Sequence, residues 1–87
     1  MGNALARQGK IKAAIGHYRK ALRINPDFAD AHYNLANALV SQGNLEDAIS
    51  HFSEALKIKP DFPQARLNLE HTLRLKEKST GPLNNGL

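Results

Sequence analysis

The sequence predicts an all-α fold, a stack of antiparallel helix pairs. Three observations predict it. The chain repeats itself at an interval of 34 residues, apolar residues recur at helical spacing inside each repeat, and glycine and proline fall at fixed places between the runs. With 87 residues the chain holds one small domain. Hydrophobic residues make up 41% and charged residues 23%, a balance that suits a globular chain and not a disordered one. With no tryptophan, the core must rest on Leu, Ile and Ala, anchored by Tyr18, Phe28, Tyr33, Phe52 and Phe62.

Offset by 34 positions, Asn3-Ala4-Leu5 falls on Asn37-Ala38-Leu39 and Gln8-Gly9 on Gln42-Gly43. Ala14-Ile15 falls on Ala48-Ile49, His17 on His51, Ala21-Leu22 on Ala55-Leu56, Ile24 on Ile58, and Pro26-Asp27-Phe28 on Pro60-Asp61-Phe62. Residues 2–28 and 36–62 agree at 14 of 27 positions. A partial third copy follows, in which Ala65, Asn68, Leu69 and Leu73 match Ala31, Asn34, Leu35 and Leu39.

Five helices are expected. A stump, Gly2 to Gln8, precedes helices over Lys10–Ile24, Phe28–Gln42, Leu45–Ile58 and Phe62–Lys78. Gly43 can take the positive φ that ends a helix. Asn44 can cap the next, with Asp47 near the positive helix end. Pro60 cannot continue a helix and biases Lys59 away from helical geometry. Asp27 and Asp61 can cap the helices after them. Ala31, Ala38, Ala48 and Ala55 let helix axes approach, and Tyr18 and Phe52 fill the space between. Residues 79–87, rich in turn formers and without periodicity, are expected to be a disordered tail.

The residues of the middle unit carry a family resemblance. His32, Leu35, Ala36, Leu39, Ala48, Phe52, Ala55 and Pro60 stand at the spacing of a tetratricopeptide repeat (TPR), with His32 departing from the usual Trp. The preceding unit offers Gly2, Leu5, Ala14, Tyr18, Ala21 and Pro26 at the same offsets. The resemblance covers residues 1–78 as a partial repeat 1–28, a full repeat 29–62 and a capping helix 63–78. It implies a right-handed superhelical stack of about two and a half repeats, in which the first helix of each pair lines a concave groove that holds a peptide or helix. It implies a protein-protein interaction scaffold or adaptor without catalysis or cofactor. Carried onto this chain, the groove positions are Asn3, Ala6 and Arg7; Asp30, Tyr33, Asn34, Asn37 and Ser41; and Gln64, Leu67, Asn68, His71 and Arg74.

Asn3 and Asn37 are one repeat apart, as are Asn34 and Asn68. A side-chain amide both donates and accepts, so a row of them can bond a peptide backbone whatever its sequence. This resembles the asparagine ladder of some long TPR superhelices. The competing reading is that these amides hold neighbouring helices together. A carboxylate clamp of the chaperone-binding type is not expected, because Gln64 and Asn68 stand where it needs Lys and Arg.

Other chemistry finds little support. The absence of cysteine removes disulfides, thiolate metal sites and a Cys nucleophile. His17 and His51 recur on equivalent helices with no close second ligand in the sequence, so no metal is expected. No Ser-His-Asp arrangement, phosphate loop or paired inward carboxylates stand out. No secretory leader or membrane span is read, and a cytoplasmic location is expected. A net charge of +4 favours an acidic partner. Lys10, Lys12, Arg19, Lys20 and Arg23 form one basic cluster and Arg66, Arg74, Lys76 and Lys78 another. Weak nucleic-acid or polyanion binding is therefore an alternative, though exposed aromatics for base stacking are lacking.

Self-assembly is a further alternative. The first unit lacks part of the pattern, with Met1 where a Leu is wanted, so its stump is expected to cover the next helix poorly and leave Ile11, Ile15 and Leu22 open to water. Leu67, Leu69, Leu73 and Leu75 are likewise expected to lack a covering helix, beside a charged outer face of Arg66, Glu70, Arg74, Lys76, Glu77 and Lys78. A homodimer through the N-terminal partial repeat, by exchange of helices, would complete the unit. A longer parent superhelix would do the same.

Overall fold

A computed structural model describes the backbone of residues 3–85 and the side chains of residues 9–78. Four helices follow one another: α1 (Asn3–Ile24), α2 (Ala29–Ser41), α3 (Leu45–Ile58) and α4 (Pro63–Asn85). The links are residues 25–28, 42–44 and 59–62, and such short connections turn the chain back on itself. α2 lies at the centre, against α1, α3 and α4; the backbone of α1 approaches neither α3 nor α4. The expected all-α helical stack is what the chain forms.

The turn from α2 to α3 shows how local chemistry sets a link. Gly43 has φ +83, the one positive φ among the described residues. Its N–H donates to the Val40 carbonyl and the Asn44 N–H to the Leu39 carbonyl, each at 2.9 Å. This Schellman pairing satisfies carbonyls that the helix end would otherwise orphan. A Cβ at position 43 would meet no atom but would sit in the left-handed region, where L-residues are strained.

Four expectations about the elements are corrected. First, the stump and the second helix are one: α1 runs unbroken through Gly9. Breaking a helix orphans backbone groups on both sides, a cost that is offset only when the two pieces pack together. At Gly43 the α2–α3 contact provides that return. At Gly9 the continuous helix keeps its own bonds, and Lys10 stands where the second copy has Asn44. Second, the expected side-chain caps are absent. Asn44 occupies the cap position of α3 through its carbonyl, which accepts from Ala48 N–H at 3.0 Å, without a side-chain bond. Phe28, not Asp27, caps α2; its backbone is extended and its carbonyl accepts from the Ala31 and His32 N–H groups. Asp27 instead donates its N–H to Asn25 Oδ1. Asp61 also lies one residue too early, since Phe62 accepts the first bond of α4. Pro63 opens α4, where its missing N–H costs nothing. Third, α4 continues through residues 79–85, where a disordered tail was expected. Extending a formed helix is cheaper than starting one, although Pro82 supplies no N–H to that run. Residues 86 and 87 lie outside the described residues. Fourth, Ile15 is buried, because α2 covers the face of α1 that was expected to stand open.

The core joins Ile15 of α1 to Leu35, Ala36 and Leu39 of α2, Ala48, Phe52 and Ala55 of α3, and Phe62 and Ala65 near the start of α4. Leu35, Leu39 and Phe52 are the largest apolar side chains fully withdrawn from water. Tyr33 packs its ring against Phe62 at 4.9 Å and Phe52 at 6.0 Å between centroids, in the tilted geometry that aromatic pairs favour. Ile11 and Leu22 are half-buried against this core. On α4, Leu67 and Leu73 stay exposed, as expected of a helix with nothing laid over it, while Leu69 and Leu75 are half-buried.

Candidate functional site

Of the positions expected to line a groove, Tyr33 and Asn37 of α2 meet Asn68 of α4. The Asn68 amide nitrogen donates to Asn37 Oδ1 at 2.8 Å and to the Tyr33 hydroxyl at 3.2 Å. Both of its protons are therefore spent on holding α4 against α2. Tyr33, Asn37 and Asn68 are half-buried, while Asp30, Asn34, Ser41, Gln64, Leu67, His71 and Arg74 are exposed. Ser41 donates its hydroxyl to the Asn37 backbone carbonyl at 3.3 Å. The Asn37 amide nitrogen and the Asn68 amide oxygen take no part in these bonds. Asn34, one repeat before Asn68, makes no side-chain hydrogen bond among the described residues.

Asn3, Ala6 and Arg7 do not sit on a separate helix folded beside α2. They continue α1, and their side chains lie outside the described residues. Of the four asparagines, Asn37 and Asn68 meet, and their bond joins α2 to α4.

Two further polar features were missed at the sequence level. Thr72 falls in register with Ala38, yet it is buried at 1% exposure and donates its hydroxyl to the Asn68 backbone carbonyl at 2.7 Å. That bond satisfies a hydroxyl placed where the repeat wants a small apolar residue. The second feature is a histidine pair on the other side of α2. His32 Nε2 lies 2.9 Å from the Pro26 carbonyl, and the His32 and His51 Nδ1 atoms lie 3.0 Å apart. A carbonyl only accepts, so His32 carries its proton on Nε2 and offers a lone pair at Nδ1; His51 then donates from Nδ1. The rings stack at 5.2 Å between centroids. Burial, then unfavourable electrostatics from His32 and Arg19, push the His51 pKa below its ordinary 6.5, against a smaller upward pull from Asp47 and Glu54. His51 is therefore neutral at pH 7. The signal for this pair was present in the sequence as His32 in the place of the family's usual Trp. Only the fold brings it to His51, 19 residues away. The pair borders a cleft of about 400 Å³ that Arg19, Leu22, Arg23 and Leu35 also line.

Among the described residues, no three His, Cys, Asp or Glu side chains converge as metal ligands. No described helix is long and apolar enough to cross a membrane.

The tetratricopeptide-repeat family model matches residues 1–63. No curated protein shows significant similarity to the chain. The family is a non-catalytic repeat scaffold whose domains mediate protein-protein interactions. Its small and large positions here are occupied by the buried Leu35, Ala36, Leu39, Ala48, Phe52 and Ala55. Family match and helical stack agree, and the chain belongs to the tetratricopeptide-repeat family.

Proposed function

We propose that the α2/α4 face binds a peptide or helix of a protein partner, and that the chain is an interaction module and not an enzyme. One observation carries this reading: the Asn68 bonds lock α2 and α4 side by side while Gln64, Leu67, His71 and Arg74 remain exposed along the same face. A fixed platform binds with less ordering cost than a mobile one. Leu67, 65% exposed, offers an apolar anchor, and Arg74 can pair with a carboxylate of the ligand. The net charge of +4 suits an acidic ligand. Base-stacking platforms are scarce: Phe52 and Phe62 are buried, Tyr33 is engaged with both, and of the five aromatic residues only Phe28 is exposed, at 44%. That favours protein over nucleic acid.

The test is selection of binders from a random peptide library, followed by titration against variants. Leu67→Ala and Arg74→Ala should each weaken the selected peptides about tenfold, a loss near 1.4 kcal/mol. His17→Ala, on the exposed side of α1, should leave affinity unchanged. Peptides that bind all three variants equally would place recognition elsewhere.

A further inference from the structure

Between α1 and α2 lies an open cleft of about 320 Å³, walled by Ile11, Ala14 and Tyr18 on one side and Asn34, Asn37 and Ala38 on the other. The molecule itself shows how such a cleft is filled. One repeat later, α4 lies against α3 and α2 and spends the Asn68 amide on Asn37. Moving that arrangement back by one repeat turns Asn68 into Asn34 and Asn37 into Asn3. Asn34 is thus the exposed counterpart of a bonded asparagine, itself without a side-chain hydrogen bond among the described residues. The segment that carries its matching acceptor is residues 3–8, whose Asn3-Ala4-Leu5 repeats Asn37-Ala38-Leu39.

In its own chain that segment is held away from the cleft. α1 is continuous through Gly9, which places residue 3 about 12 Å along the helix axis from Ile11. We infer that the cleft is the docking site for residues 3–8 of a second copy of this chain, in a two-fold dimer whose α1 helices run antiparallel and cross near Gly9. In such a dimer Leu5 of each copy takes the place over Ala14 of the other that Leu39 takes in the core with Ala48. Gly9 suits the crossing, because it is exposed, helical, and has open space at its Cβ position. An exchanged element of this kind forms an isologous contact, which closes at two copies. The second copy would also bring Asn3 and Arg7 to the α2 face, supplying the groove positions that a single chain leaves distant. Only this consequence for the groove rests on the peptide-binding reading; the dimer does not.

The experiment measures mass by light scattering across a concentration series, without any peptide, on the intact chain and two variants. The expected species is twice the chain's 9.6 kDa. Leu5→Glu should raise the dimer dissociation constant at least tenfold, while Lys57→Ala, exposed on α3 and away from the cleft, should not raise it. The chain contains no cysteine, so a Leu5→Cys, Ala14→Cys double variant reports the arrangement directly. Exchange predicts disulfide-linked dimers on oxidation. A monomer at every concentration, a Leu5→Glu dimer as tight as the parent, or a disulfide closed only within one chain would each overturn the proposal. Loss of peptide binding by a persistent dimer would count against the groove alone.

Discussion

The two copies of the repeat, residues 2–28 and 36–62, agree at 14 of 27 positions and yet are built differently. Gly43 makes a left-handed turn, whereas Gly9 lies inside a helix. Phe62 is buried at 9% exposure, whereas Phe28 is 44% exposed. Ile58 is half-buried, whereas Ile24 is 79% exposed. His51 is paired with His32, whereas His17 stands in solvent. The second copy is enclosed, with α2 and α3 packed on each other and α4 laid against both; the helix of the first copy leans on α2 alone. Identical side chains thus acquire different roles because burial belongs to neighbours. In repeat proteins stability is a sum of unit and interface terms, and the first copy has fewer interfaces.

The contrast can be broken experimentally, beginning with the core. Phe52→Ala should cost about 3–5 kcal/mol, since it empties a fully enclosed site, and Tyr18→Ala, its half-buried counterpart, should cost at most about half that. Urea unfolding of both variants measures it, and equal costs would show that α1 is as enclosed as α3. The glycines come next. Gly43→Ala should destabilise by about 1–2 kcal/mol through its left-handed φ, whereas Gly9→Ala should stabilise by up to about 1 kcal/mol by helix propensity. Opposite signs in thermal melts are the expected outcome; a destabilising Gly9→Ala would mean that the first copy also turns. Asn68→Ala should cost about 1 kcal/mol by removing two bonds to α2, while Asn34→Ala should cost nothing in the monomer. The smallest effect concerns pH. His51 titrates below 6.5 in the folded chain, so the unfolded chain binds more protons as pH falls through and below that value. Stability should therefore hold above about pH 6.5 and decline below it. His51→Gln should flatten that decline and His17→Gln should not; identical pH profiles for the two would remove the pair from the account.

Much of the architecture was legible. Periodicity located α2, α3 and most of α4, and the positive φ of Gly43 followed from glycine standing after an apolar run. Capping was read one position off at Asp27 and Asp61, because the extended Phe28 and Phe62 carbonyls begin the helices and Pro63 needs no partner for an N–H it lacks. The site was legible as a list of positions but not as a set of bonds. That Asn68 spends both amide protons inside the stack, and that His32 reaches His51, depends on how α2 sits between α3 and α4.

The sequence by itself determined the helical class, the 34-residue period, the family and the inward set of Leu, Ala and Phe, because spacing along a helix decides which side chains share a face. Tertiary structure alone decided whether each glycine turned, which asparagine became a strut, and which histidine was buried. Those outcomes depend on the groups packed alongside, and a helix break or a desolvated polar group is stable only where a neighbour repays its lost bonds.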